Sequence, residues 1–147
     1  MPRFPLGLVP SRKALTTGRF IVAATHLFAP RLTTRLFRLQ AGGTPAIAYA
    51  RMFAIRNAAL GLGLLRLDNF TRPEQFLALN IVMDSVDAAA FLASGLRRDV
   101  SRTSTAISTA VALSAVVAGT AALIEHKQAA DQVSAPTATA LSDGNPT

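Results

Sequence analysis

Cysteine and tryptophan are absent from this 147-residue chain, tyrosine occurs once and histidine twice. Without cysteine there is no disulfide, no thiolate metal site and no thiol nucleophile, and the redox compartment is unreadable. HExxH, GxSxG, a P-loop and GxGxxG are missing too, so zinc-protease, hydrolase and nucleotide-binding readings have no motif to rest on. Acid is scarce: eight Asp and Glu stand against fifteen Lys and Arg, for a formal charge of +7.

What is present is apolar. Half the residues are hydrophobic and the mean hydropathy is positive. The excess positive charge could suit phosphate binding, but its placement argues otherwise. Arg12 with Lys13, then Arg31, Arg35 and Arg38, then Arg97, Arg98 and Arg102 form clusters between long apolar stretches. Charges that flank membrane spans and meet anionic headgroups are spaced in this way, so the expected partner is a lipid bilayer and not nucleic acid.

Residues 103–124 carry no charge, which matches the roughly 20 residues a spanning helix needs. Segments 14–29, 46–65 and 76–96 follow the same logic, bounded by Pro30, Pro45, Pro73 or a basic cluster. The expected fold is all-α: a four-helix transmembrane bundle with short loops, after a basic segment 1–13. Sequential helices should then be antiparallel neighbours. Segment 125–147 is rich in Ala, Ser, Thr and Pro without apolar period, which predicts a disordered tail. The run after Lys13 is broken by Arg19 and His26 and lacks a small-residue cleavage pattern, so no signal peptide is expected.

Membrane helices associate through close packing of small residues and interhelical hydrogen bonds. Ala46, Ala50, Ala54 and Ala58 make one every-fourth stripe, and Ala106, Ala110, Ser114, Ala118 and Ala122 another. They serve internal packing, and leave open a homo-oligomer or a larger membrane complex. Gly61 and Gly63 sit inside an apolar helix, where close packing accounts for them.

The informative polar residues fall mid-helix. Asn80, Asp84 and Asp87 share one face of the third segment, and the second carries Arg51, Arg56 and Asn57. A charge at a helix centre costs about 2.5 to 3.5 kcal/mol on insertion scales, while each Leu or Phe returns about 0.3 to 0.6, so the two helices should insert as a pair. Counting 1.5 Å per residue from the turn between them puts Arg56 level with Asp84. This predicts a buried Arg56–Asp84 ion pair, with Arg51, Asn57, Asn80 and Asp87 as hydrogen-bonding neighbours. Such a pair can be purely a register device; paired Asp can also carry protons or do acid–base chemistry. Metal binding by Asp84, Asp87 and Asn80 is opposed by the adjacent arginines. On the first segment Arg19 and His26 share a face with Thr16 and could complete a polar cavity. Haem would need a second axial ligand, and the only other histidine, His126, lies past the fourth segment. No cofactor and no enzyme activity are expected.

FAPRLTTRLFRL, RMFAIRNAALGLGLL and MDSVDAAAFLASG resemble small four-span bacterial membrane proteins catalogued as a domain of unknown function, over residues 18–123. The resemblance implies a fold and a membrane location, and no activity. In that family the second-helix Arg is typically followed by an acidic residue, where this chain has Asn57, so no charge relay carries over. The layout is also loosely similar to four-span redox-accessory proteins of the DoxX type. Four spans put both termini on one side of a cell membrane. Loop charge is tied at six Lys or Arg a side, and the leading Arg12 and Lys13 favour cytoplasmic termini. Two functions remain: a structural or accessory subunit, or a small transporter or lipid- or small-molecule-binding protein using Asp84 and Asp87.

Overall fold

A computed structural model describes residues 11–39 and 45–142, with side chains to residue 132. Among the described residues the chain is all-helical. Its elements are α1 (Ser11–Phe28), α2 (Pro30–Leu36), α3 (Ala46–Leu65), a 3-10 turn (Leu67–Asn69), α4 (Pro73–Leu96) and α5 (Arg102–Ser142). Most of segment 1–13 and residues 143–147 lie outside the described residues.

Prolines set two of the starts. Pro73 opens α4, three residues before the sequence expectation, where its missing N–H costs nothing, and Glu74 complements the helix dipole in the first turn. Pro30 ends α1 where the sequence reading placed the boundary, but it also opens a short helix, α2, that the reading did not anticipate. The Thr33 hydroxyl bridges that break by donating to the carbonyls of Thr25 and Ala29, each at 3.0 Å. Both α2 and α4 end in a left-handed residue, Arg38 (φ 54°) and Arg98 (φ 64°). At α4 the Asp99 amide reaches Ser94 O at 2.9 Å and Arg98 reaches Gly95 O at 3.1 Å. This is a Schellman cap with arginine in the position glycine usually holds.

The expected tail is where the chain departs most from the composition argument. Helix α5 continues past Glu125 to Ser142. Lys127, Gln128, Ala129, Ala130 and Gln132 are good helix formers, and propagating an existing helix needs no new nucleus.

The second correction concerns neighbours. Helix α1 packs along α3 and also touches α5, α5 packs along α4, and α3 meets α4 only slightly. The helices on either side of the tight turn are therefore not the packed pair that short connections suggest. They approach at the turn, where Gly63 leaves room for the Phe76 ring, which stacks on Phe70 at 4.9 Å. Gly61 lets α1 close on α3, since a Cβ there would stand 3.2 Å from the Phe20 ring and 3.3 Å from Arg19 Cβ.

The interior is layered along the bundle axis. At the turn end Leu15, Leu64, Leu67, Leu77 and Ala122 form a dry cluster. Buried Arg19, Asn57, Asn80 and Asp84 come next. At the far end α2 closes over the bundle, and Ser104 Oγ donates to Arg38 O at 3.1 Å. The α5 surface that packs inside is Ser104, Ser108, Ala112, Gly119 and Ala122. Of the expected α5 stripe only Ala122 is buried, while Ala106, Ala110 and Ser114 face outward. On α3, Ala54 is buried and Ala46, Ala50 and Ala58 are half-buried. Two helical segments, Pro73–Leu96 and Arg102–Gln132, are long and apolar enough to cross a membrane.

Candidate functional site

Arg19 sits where α1, α3 and α4 converge. Its Nη1 donates to Asn57 Oδ1 (2.9 Å) and Asp84 Oδ1 (2.8 Å), and its Nη2 to Asn80 Oδ1 (3.0 Å) and Asp84 Oδ2 (2.6 Å). The guanidinium thus forks onto one carboxylate and is flanked by two amide oxygens, a bidentate geometry that arginine's planar donors suit and lysine could not supply. Both partners of the ion pair are 4 % exposed. The amides are held in turn: Asn57 Nδ2 donates to Phe53 O and Asn80 Nδ2 to Phe76 O, each at 2.9 Å and one helical turn back. Each Asn therefore presents its oxygen, and not its NH2, to the cation.

Arg56 bridges α3 to α4 through Asp87, with Nη1 to Oδ1 at 3.0 Å and Nη2 on Oδ2. It also lies over the Phe53 ring, 4.7 Å from the centroid. This pair is wetter than the first, its side chains being 29 % and 19 % exposed.

The expected Arg56–Asp84 pair is thus replaced by two pairs. Asp84 takes Arg19, and Arg56 takes Asp87 one turn further on. Counting along α3 and α4 cannot detect a third helix, and it is α1 that delivers the cation for Asp84. Arg51, expected in the cluster, is exposed on α3. It lies about ten residues nearer the α2 end than Gly61, and a long stem lets an arginine near a helix end extend its charge outward.

His26 stands on the Arg19 side of α1, as their spacing predicts. Its Nδ1 is 2.8 Å from Val22 O, and a carbonyl can only accept, so Nδ1 carries the proton and neutral His26 leaves Nε2 as an acceptor. Its ring packs between Phe53 (5.2 Å) and Phe37 (5.9 Å).

Arg19, His26, Arg56, Asn57, Asp84 and Asp87 border one half-open cavity of about 840 Å3 between α1, α2, α3, α4 and α5. No family model, curated protein or solved structure matches this chain. The charged floor is balanced, Arg19 and Arg56 against Asp84 and Asp87, while the walls are mostly apolar and include Phe37, Tyr49, Phe53 and Phe91.

A further polar group closes the turn end. Arg12 forks onto Asp68 (2.8 and 3.1 Å) and donates Nε to Leu64 O at 3.1 Å, tying α1 to the 3-10 turn. The hydrogen-bonded guanidinium holds the Asp68 carboxyl below the usual carboxylate range. Beside it, Ser11 Oγ donates to Glu125 Oε1 at 2.6 Å, joining α1 to α5.

Proposed function

We propose that this chain is a four-span integral membrane protein serving as a structural or accessory subunit, with α1, α3, α4 and α5 as its spans. The observation that carries the reading is an inverted distribution of polarity. Arg19, Asn57, Asn80 and Asp84 are buried between helices, whereas Phe28, Leu96 and Val117 are 82 %, 78 % and 67 % exposed. Large exposed side chains occur on α1, α3, α4 and α5 alike. A soluble protein rarely shows such extended apolar surface, and a soluble core helix would be mostly buried, whereas the two longest apolar segments are each 22 % buried.

The dimensions agree. From Glu74 to Arg97 and from Arg102 to Glu125 the rise is about 35 Å at 1.5 Å per residue, against a hydrocarbon core of about 30 Å. In this setting the two ion pairs act as register devices, since lipid offers helices no hydrophobic reason to choose one neighbour over another. The outward Ala106, Ala110 and Ser114 ridge is the surface through which the subunit would pack on a second copy or on a larger complex.

The absence of cysteine makes the test direct. Single Cys substitutions at exposed Arg35, Asn69, Asp99 and Gln128 are labelled in intact cells or sealed vesicles with a membrane-impermeant maleimide. Four spans place positions 35 and 99 on one side, and 69 and 128 on the other. If only α4 and α5 cross, position 35 labels with 69 instead of 99, and the four-span reading fails.

A further inference from the structure

The polar network leaves donors unused on three residues that line the cavity. Arg19 Nε, Arg56 Nε and the Ser108 hydroxyl are buried without a hydrogen-bond partner. Arg19 is 4 % exposed and Ser108 2 %, and all three residues line the 840 Å3 cavity. Buried donors of this kind normally find partners, so three around one cavity need an explanation. The packing that would otherwise fill the space is also missing. A Cβ on Gly18, which lines the same cavity, would meet nothing within 4 Å.

The geometry points to a binding site for an uncharged amphipath: a molecule with an apolar body and carbonyl or hydroxyl oxygens, about the size of a monoacylglycerol. Three features select that class. The volume lies within the range of about 300 to 1,000 Å3 typical of small-molecule clefts. Both arginines are already neutralised by aspartates, so an anionic head would meet no net positive charge and a cationic head would find no free carboxylate. The unused groups are two N–H donors and one hydroxyl, each of which can donate to a neutral oxygen acceptor. Around them Phe37, Tyr49, Phe53 and Phe91 provide surface for an acyl or ring body. The inference goes beyond the scaffold reading and does not depend on how many helices span.

The chain lacks tryptophan, so Phe91→Trp in the full-length protein introduces a single tryptophan, selectively excited at the red edge, into the cavity wall. In detergent, three probes brominated at the same chain position are titrated: a dibrominated monoacylglycerol, the dibrominated fatty acid as its carboxylate at pH 8, and a dibrominated alkane without a head. The expected result is saturable quenching by the monoacylglycerol, at half-saturation at least about tenfold lower than either other probe. Ser108→Ala should raise that half-saturation about two- to tenfold, the loss of one neutral hydrogen bond. Gly18→Leu should narrow the cavity and weaken saturable quenching by the monoacylglycerol while the protein melts no lower than its parent. Equal quenching by the alkane, tightest binding of the carboxylate, or unchanged binding in Gly18→Leu would each overturn the proposal. If Phe91→Trp does not fold, Tyr49→Trp, exposed on the rim of the same cavity, takes its place.

Discussion

Replacing Asp84 with Leu should strand Arg19, and the structure lets the cost be reasoned out. The cation would remain 4 % exposed, with two amide oxygens as its only acceptors. Leaving one member of a buried pair uncompensated costs about 3 to 5 kcal/mol, and Arg19→Met should cost the same from the other side. Simple addition predicts a loss of about 6 to 10 kcal/mol for both, but the double variant strands no charge. It leaves only Asn57 Oδ1 and Asn80 Oδ1 without donors, at about 1 to 3 kcal/mol each. The coupling between Arg19 and Asp84 should therefore reach about 4 kcal/mol. Arg56→Met with Asp84→Leu is the control, because it strands Arg19 and Asp87 together. Its effects should add to within about 1 kcal/mol. The assay is reversible unfolding of all five variants in mixed micelles, followed by far-UV circular dichroism. A larger coupling for Arg56 with Asp84 than for Arg19 with Asp84 would refute the assignment of pairs.

Further expectations follow from single positions. Arg98→Gly relieves a left-handed residue in the α4 cap and should stabilise the fold by about 0.5 kcal/mol, the relief of strain being partly offset by a freer unfolded chain; a lower melting temperature would contradict this. Gly63→Ala pushes a methyl into the Phe76 ring and should destabilise by about 1 to 3 kcal/mol, with recovery in Gly63→Ala/Phe76→Leu. Leu64→Ala and Leu77→Ala, both fully buried in the turn-end cluster, should each lose about 2 to 5 kcal/mol in the same unfolding assay. Asp68 has a folded pKa below its unfolded value, so its contribution is complete above about pH 4 and is lost as pH falls through the folded pKa. Asp68→Asn should flatten that part of the acid limb and leave the pH dependence between pH 6 and 8 as it is in the parent.

Local chemistry was the part legible in the sequence. The charge-free run of α5 and the prolines at helix edges announce themselves, because hydropathy and proline's missing N–H act within a few residues. Partner choice is tertiary and was not legible in the same way. Depth along α3 and α4 fits Arg56 to Asp84 well enough, and nothing in those two segments reveals that α1 packs along α3 and reaches Asp84 with Arg19. The missed signal was on α1, where Arg19 is the one charge between Lys13 and Arg31 and so needs an acid of its own. With two mid-helix acids and Arg51 near a helix end, two cations remain for two carboxylates. Side-chain rescue of a broken helix was equally hidden: the Pro30 kink depends on where the Thr33 hydroxyl falls. The α5 extension shows composition arguing for disorder where a preceding helix supplies the nucleus.

The 65 residues between Arg19 and Asp84 are also an interval of time. At about 5 to 20 residues per second, a ribosome needs roughly 3 to 13 seconds to deliver the carboxylate after the arginine has been made. On the four-span reading α1 spends those seconds with a cation that lipid penalises and no acid to meet it. The first helix should therefore wait at the insertion machinery or the membrane surface until α4 arrives, and a ribosome stalled between α3 and α4 should leave α1 extractable by carbonate.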